Sequence, residues 1–444
     1  MADDTATAPT TPEAGTQTDA MLAPVPQPKT TISTWEEASA HVRARSTDLR
    51  VALAEVERAE AQSRAALAGM LPTINGQAGF TNQFISSETK QVVGISGLSP
   101  VFGSVRTPFP NSAGGTLTLI QPAFAPRAYW AIGTANVARN VAGLGVEDAK
   151  RVLAVGIAQN IIAVFTAERL AELNRNGLRT ALQRLSIAQS RFDLGAATGL
   201  DLLRAKQDVE TSRATLVAGD ESLRRAREAL GIAIGLPEPV GVSPKATLDA
   251  LEQSALASCK LAPLDQRADV RVARERIALA ERNVGDARLQ FSPTFNVQSS
   301  VQTTTIALGA SPNTTWNIQG ILTVPIWDGG ARYASLRDAR AVAGQARERL
   351  EALQRNAQIQ YDQAVRGVKV AEERLAVATQ SRKLAFETDD LVRRSFQEGR
   401  GTSLELVTSA AQLRDAEINL ALREFDLVQA RVLAVLSFSN CHLF

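Results

Sequence analysis

Two histidines, His41 and His442, and two cysteines, Cys259 and Cys441, are all that this 444-residue chain offers to general-base, thiolate or zinc chemistry. A structural zinc site closes with four Cys or His ligands, and histidine-based acid–base catalysis needs an oriented imidazole, so neither is expected. Two cysteines are too few for a disulfide framework, and Cys259 reads as a buried small residue within a linker rather than a ligand. Lys+Arg 48 against Asp+Glu 46 leaves a net charge of +2, which gives no basic footprint for nucleic acid. No run approaches the roughly 18 apolar residues of a transmembrane helix. The residue inventory therefore implies no enzyme, no cofactor and no metal. The acidic residues with the most distinctive setting are Asp201 and Glu405, each six residues beyond a glycine in the matched segments Phe192–Asp201 and Phe396–Glu405. At the start of a helix such a carboxylate is favoured by the helix dipole.

Proline placement shows which elements must position those segments, because an interior proline breaks a helix. All eighteen prolines lie at or before Pro325, and none falls between Pro126 and Pro237. The two long proline-free runs are rich in Ala, Leu, Arg and Glu, all strong helix formers. Each is interrupted once, at Gly195 and at Gly399. Glycine permits a tight turn there, and Thr198 or Thr402 can cap the next helix. Each run thus predicts a long helical hairpin, over 127–236 and 330–438, with a first arm of about 65 residues or ~100 Å. Shorter helical runs cover 29–71 and 264–292. Residues 1–34, rich in Thr, Pro and Ala, are expected to be disordered. Residues 237–263 read as a linker or small irregular segment, and 439–444 as a tail.

The chain is two copies of one unit. Aligning 48–75 with 269–296 at an offset of 221 gives ten identities, among them Arg50, Val51, Ala52, Ala59, Glu60, Pro72, Thr73 and Asn75. At an offset of 204 the glycine breaks superimpose, Phe192 on Phe396 and Asp201 on Glu405. The helix after each break carries a heptad: Leu202, Val209, Leu216, Leu223 and Leu230, then Leu406, Leu413, Leu420, Leu427 and Ala434. A small residue recurs three positions on, for example Ala205, Ser212 and Gly219, or Ser409 and Ala416. Sustained heptads drive supercoiling, and small positions admit close helix contacts.

Between helices the period changes to two. Ile74, Gly76, Ala78 and Phe80 alternate with Asn75, Gln77, Gly79, Thr81 and Gln83, and Phe295, Val297, Ser299 and Val301 with Asn296, Gln298, Ser300 and Gln302. Partner strands at Thr116–Gln121 and Trp316–Val324 complete two β-hairpins, 73–122 and 294–326, with connectors at 85–115 and 305–315. The amide face suits a water-filled lumen and the other face lipid, although a soluble sheet packed on helices alternates equally well. Tyr129, Trp130, Trp327 and Tyr333 sit at the strand-to-helix transitions, where a membrane-interface aromatic belt would lie. Four strands cannot close a barrel, so membrane strands would demand oligomerisation.

These elements together resemble the TolC-like outer-membrane efflux channels (outer membrane factors) over residues 35–438. The resemblance rests on the duplicated helix–Pro–strand unit, on Pro122-Ala-Phe and Pro325-Ile-Trp-Asp-Gly-Gly, and on the two Phe-x-x-Gly-x-x-Thr-x-Leu-[Asp/Glu]-Leu breaks. It implies a mainly α fold with a small β part: two helical hairpins per chain in an α-barrel tunnel, and four strands per chain in a 12-stranded trimeric transmembrane barrel. It further implies an exit duct for a tripartite efflux pump or type I secretion system. Its partners would be a periplasmic adaptor, an inner-membrane pump and outer-membrane lipid, with the tunnel in the periplasm. Carried over by position, Asp201 and Glu405 become gate carboxylates. Phe396 stands where better-known members have Tyr, and Thr408 takes a second acidic position. Gly401 occupies a basic position, with Arg400 before it as a substitute. The turns bearing Gly195, Thr198, Leu200, Gly399, Thr402 and Leu404 become adaptor contacts. Lacking an apolar leader and an N-terminal cysteine anchor, the sequence reads either as a mature or re-started form or as one whose start site is misassigned. The alternatives are a periplasmic adaptor-like protein, which has one hairpin flanked by lipoyl-like halves, and a coiled-coil structural protein.

Overall fold

The computed structural model describes residues 19–441 apart from breaks at 83, 85–86, 97–98, 108–110, 245, 248, 251–252, 255–258, 262 and 306–312. Gln83, most of the 305–315 connector, residues 1–18 and the last three residues with His442 lie outside the described residues. In chain order the elements are β1 (Thr30–Ile32), α1 (Trp35–Arg45), α2 (Thr47–Ala68), β2 (Thr73–Thr81), β3 (Ser87–Ser96), β4 (Ser99–Thr107) and β5 (Ser112–Phe124). There follow α3 (Pro126–Asp193), α4 (Gly199–Ala233), β6 (Val240–Val242), β7 (Cys259–Leu261), α5 (Ala268–Leu289), β8 (Thr294–Thr304), β9 (Thr314–Thr323), α6 (Ala331–Gln397), α7 (Ser403–Phe438) and β10 (Ser439–Cys441). The duplication is visible in the bounds. Helices α2 and α5 both have 22 residues and begin and end 221 positions apart, while α3 and α6, of 68 and 67 residues, end 204 apart.

Two compact units arise. One comprises Ala52–Val146 and Asp269–Leu353, the other Met1–Val51, Glu147–Ala268 and Gln354–Phe444. The first contains an antiparallel sheet of order β2-β5-β8-β9. Its register sorts residues into cross-strand rows. Gly76, Leu117, Val301 and Trp316 form one row, and Ile74, Leu119, Ser299 and Ile318 another. Between them runs the row Asn75, Thr118, Ser300 and Asn317, and beyond Gly76 follows Gln77, Thr116, Gln302 and Thr315. Period-two alternation has put the amides and hydroxyls on one face and the bulk of the apolar groups on the other. Ser300 donates to the Asn317 Oδ1 at 2.6 Å, tying the polar row across β8 and β9. One expectation needs correction: the 85–115 connector contains a hairpin of its own, β3 paired antiparallel with β4. Its Gly94 and Pro100 masked the alternation.

The second unit holds the glycine turns and the main core. Trp35, Val42, Ile157, Ile161, Val164, Leu230, Ile234 and Val240 form the largest buried cluster. By length and composition alone, α3 contains one window apolar enough to cross a membrane. Its apolar residues Ile157, Ile161 and Val164 instead fill this core. All five heptad positions of α4 (Leu202, Val209, Leu216, Leu223 and Leu230) are buried, with Leu178, Ala181 and Ala171 of α3 packed on them. The α7 heptad differs: of its five large positions only Leu427 is buried, and the others are half-exposed.

Residues 19–34 correct a second expectation, since they are ordered structure. Asp19 pairs with Arg213 at 2.9 Å, Leu22 and Val25 pack on the α3–α4 clusters, and Arg227 donates to the Pro26 carbonyl at 2.9 Å. Strand β1 then pairs parallel with β6. Residues 20–22 make one 3₁₀ turn with its own hydrogen bonds, and beyond it the Pro-rich stretch, which as extended chain makes none internally, is held by the helices. The 29–71 run also breaks at Ser46, whose hydroxyl accepts from the Leu49 N–H and starts α2. At the other end, residues 439–441 form a strand rather than a loose tail.

Candidate functional site

The two glycine turns are built alike. Helix α3 ends with the Gly195 N–H donating to the Phe192 carbonyl at 2.9 Å and the Ala196 N–H to the Arg191 carbonyl at 2.8 Å. Helix α6 repeats this from Gly399 to Phe396 at 3.1 Å and from Arg400 to Ser395 at 2.9 Å. This is the paired-bond ending that needs a left-handed residue, and Gly195 and Gly399 sit at φ 73 and 78. Two residues after Ala196 and Arg400, a capping box opens the next helix. The Asp201 N–H donates to the Thr198 Oγ1 at 3.3 Å while Asp201 Oδ2 accepts the Thr198 N–H at 3.0 Å. In the second copy Glu405 N donates to Thr402 Oγ1 at 3.2 Å, and Glu405 Oε2 accepts the Thr402 N–H at 2.9 Å.

Beyond this shared frame the two carboxylates diverge. Asp201 Oδ1 accepts a hydrogen bond from the Ser403 hydroxyl at the start of α7, so it links the two hairpins. That bond, followed by those from Thr198, holds its carboxyl below the usual carboxylate value of 3.8. Glu405 reaches only its own cap; the Thr402 N–H, then its hydroxyl, lower its pKa. Thr408 donates back to the Leu404 carbonyl at 2.8 Å, an intrahelical bond. Arg400 is exposed and lies 4.0 Å from Glu398, so within the chain it neutralises neither Asp201 nor Glu405. The arginine that engages the second turn is Arg191: its guanidinium stacks 4.2 Å from the Phe396 ring and donates to the Phe396 carbonyl at 3.2 Å. Arg204 stands 3.9 Å from Asp201.

Above the turns, α3, α4, α6 and α7 enclose a cavity of about 310 Å³ lined by Arg184, Arg191, Asp201, Asp389, Phe396 and Ser403 among others. Two buried aspartates pin its walls. Asp208 takes Arg184 at 2.7 Å and Arg414 at 3.9 Å, and Arg414 also donates to Ser212 at 3.0 Å. Asp389 accepts from Ser409 at 3.0 Å and pairs with Arg393 at 2.6 Å. These charges hold helix positions and have no group to transform. Among the described residues no three His, Cys, Asp or Glu side chains gather as a metal site. The turn surface itself is apolar: Leu194 is 82% exposed, with Leu200, Leu404 and Phe192 also exposed.

In the sheet unit, β2 and β9 have no further strand partner among the described residues. The apolar rows are open to solvent, Trp316 by 70% and Ile318 by 64%. All four transition aromatics, Tyr129, Trp130, Trp327 and Tyr333, are exposed, Trp130 the least of them. Tyr333 also meets Phe291 edge-on with ring centroids 5.0 Å apart. Trp130 is largely a packing residue: its indole N–H donates to the Arg282 carbonyl at 2.8 Å, Arg282 lies 4.4 Å over the ring, and the missing side chain of Gly285 leaves the ring its space.

Comparison with known proteins agrees with this geometry. The sequence matches the outer membrane efflux protein family over residues 39–236 and 262–433. The chain belongs to that family. Among its relatives is the cation efflux system protein CusC of Escherichia coli O157:H7, 23% identical over 297 residues, which cover 65% of this chain and 60% of CusC. The match thus spans under two thirds of that relative. The probable outer membrane lipoprotein SilC of Salmonella typhimurium is 23% identical over 394 residues, 84% of this chain and 77% of SilC. In fold, the Campylobacter jejuni CmeC outer membrane channel superposes with a TM-score of 0.73 at 16% identity, covering 98% of this chain and 95% of that one. The resemblance drawn from the duplicated unit and the glycine breaks is thereby borne out. As a family member the chain is an outer-membrane protein whose helical tunnel lies in the periplasm, and its fold is mainly helical with a small strand part.

Sequence reasoning found both turns through their repeated motif. It missed Arg184, Asp208, Asp389, Ser403, Ser409 and Arg414. These residues break the repeat: 204 positions beyond Asp208 lies Gln412, and 204 before Asp389 lies Leu185. Only the ion-pair composition of otherwise apolar helix faces hinted at them.

Proposed function

We propose that this chain is one third of a channel-tunnel across the outer membrane. The observation that carries the reading is the four-stranded sheet with two unpaired outer strands, an exposed apolar face and an opposite amide face. In hydrocarbon an open edge leaves unpaired N–H and C=O groups, each costing several kcal/mol, so membrane strands must close a ring. Strand β2 runs opposite to β9, so β2 of one copy can pair antiparallel with β9 of the next, and three copies give twelve strands. The half-exposed α7 heptad supports the same assembly, because it offers an unfilled helix face to a neighbouring chain.

The proposed duct serves a tripartite efflux pump or a type I secretion system. The periplasmic turns carry exposed Leu194, Leu200 and Leu404 for a periplasmic adaptor, behind which stands an inner-membrane pump. Asp201, Glu405, Phe396, Thr408 and Arg400 border the narrowing end. Of these, Asp201 with Ser403, and Phe396 with Arg191, hold the two hairpins of one chain together and so resist outward movement of either. Cations exported by the CusC system are a substrate class for that protein; here the chain supplies a passage, and selection falls to the pump. Reconstitution of purified protein into planar bilayers tests the reading. Discrete conductance steps are expected, and a protein that binds membranes without conducting would overturn it.

A further inference from the structure

Helix α5 runs towards the sheet and α6 runs away from it, and Arg347 of α6 pairs with Glu281 of α5 at 2.6 Å. One heptad nearer the sheet, about 10 Å along the helices, Arg288 of α5 stands opposite Arg340 of α6. A salt bridge is thus followed by two like charges. All four side chains line one open cavity of about 570 Å³, where the Trp130 ring of α3 lies over Gly285. Glu281 is the one carboxylate among the lining residues, and Arg347 already holds it. Arg288 and Arg340 are exposed, and among the described residues neither guanidinium has a hydrogen bond or an ion pair.

The cavity lies on the apolar side of the sheet. The Thr305 N–H donates to the Ala113 carbonyl, so Leu117 and Val301, which keep that parity, are a hydrogen-bonded pair. For L-residues this puts β5 to the right of β8 when the apolar face is viewed with β8 running upwards. The helices keep the strand order, joined by Arg139–Glu60, Arg127–Asp286 and Arg347–Glu281. On α5, Arg282, Gly285 and Asp286 turn towards α3, where they meet Trp130 and Arg127. At about 100° per residue, Glu281 and Arg288 project roughly a third of a turn away, towards the apolar side.

We infer that Arg288 and Arg340 bind the phosphate of an anionic phospholipid in the periplasmic leaflet of the outer membrane. The inference rests on the membrane reading proposed above, in which the apolar side faces lipid. Arg288 is the last residue but one of α5, at the height of the strand-to-helix aromatics where headgroups lie. Guanidinium forks match phosphate oxygens, and one phosphate between the two arginines replaces their repulsion by a bridge from α5 to α6.

Native mass spectrometry of the purified full chain in neutral detergent, titrated with phosphatidylglycerol or phosphatidylcholine, reads the site. Wild type should prefer phosphatidylglycerol, and the preference should shrink as ionic strength rises. R288Q/R340Q should bind that lipid roughly 10- to 30-fold more weakly. R288K/R340K should keep most of the affinity, and R224Q/R225Q, which removes the same charge on α4, should match wild type. Equal binding of both lipids by wild type, or an equal loss in R224Q/R225Q, would overturn the assignment. So would displacement by inorganic phosphate at the lipid's own concentration, which would make the ligand free phosphate. Planar-bilayer recording on the same preparation separates the two readings: conduction without lipid preference sinks this site alone, whereas absent conduction sinks the channel.

Discussion

Replacing Ser403 by Ala removes one hydroxyl and leaves both capping boxes intact, so it isolates the link between the hairpins. In the structure that hydroxyl donates to Asp201 Oδ1. A hydrogen bond to a charged acceptor contributes about 1.5–3 kcal/mol when buried. The Asp201 side chain is 24% exposed, which places its bond near ~1 kcal/mol per chain. In the proposed trimer three copies give ~3 kcal/mol, or roughly a 100-fold shift of the closed-to-open ratio at about 1.4 kcal/mol per tenfold. Single-channel recording in planar bilayers should therefore show Ser403→Ala open far more often than wild type, and Glu405→Gln close to wild type, because Glu405 only caps its own helix. The sign with pH follows from the lowered Asp201 pKa. A carboxyl whose folded pKa is depressed contributes at neutral pH and loses that contribution as pH falls through its folded value, here below 3.8. Wild-type opening should rise in that acid range and Ser403→Ala should respond less. Equal opening of Ser403→Ala and wild type, or of Ser403→Ala and Glu405→Gln, refutes the link.

Three other substitutions probe separate layers of the fold. Gly219→Val places a Cβ 2.5 Å from the Asn174 Nδ2, so thermal melting should fall by the equivalent of about 1–3 kcal/mol within each hairpin rather than between chains. Gly195→Val or Gly399→Val forces a β-branched residue to φ near +75, a strain of at least ~1–2 kcal/mol per turn; drug- or metal-tolerance assays should show export lost while the protein still reaches the outer membrane. Trp316→Arg puts a charge in the apolar row, and heat-modifiability on gels should report a barrel weakened by ~2–4 kcal/mol, against little change for Asn317→Arg on the amide row.

Much of the architecture was legible because it is periodic. Proline spacing set the hairpins, glycine placed both turns, and α2 and α5 carry the 221-residue offset in their ends as well as their identities. Aperiodic features escaped. The β3–β4 hairpin lies in a stretch broken by glycine and proline, and the order of residues 19–34 comes from Arg213 and Arg227, nearly two hundred positions away. At the turns, the motif gave the positions of Asp201 and Glu405 but not their difference. That difference arises from Ser403, an unremarked helix-start residue whose counterpart in the first copy is Gly199. The same asymmetry separates the heptads: α4 is filled by α3, whereas α7 keeps a half-exposed face.

The most direct test of the account is covalent capture of the closing strand pair. In a Cys259→Ser, Cys441→Ser background, Asn75→Cys on β2 is combined in turn with Cys at Thr315, Asn317 or Gln319 on β9, and outer membranes are oxidised. Because β2 and β9 are the two outer strands of one sheet, a bond between them can form only between chains. The account predicts that at least one pair yields products ending at three chains, with the three-chain species circular and resistant to SDS. Products that stop at two chains, or a ladder that runs past three, would contradict it.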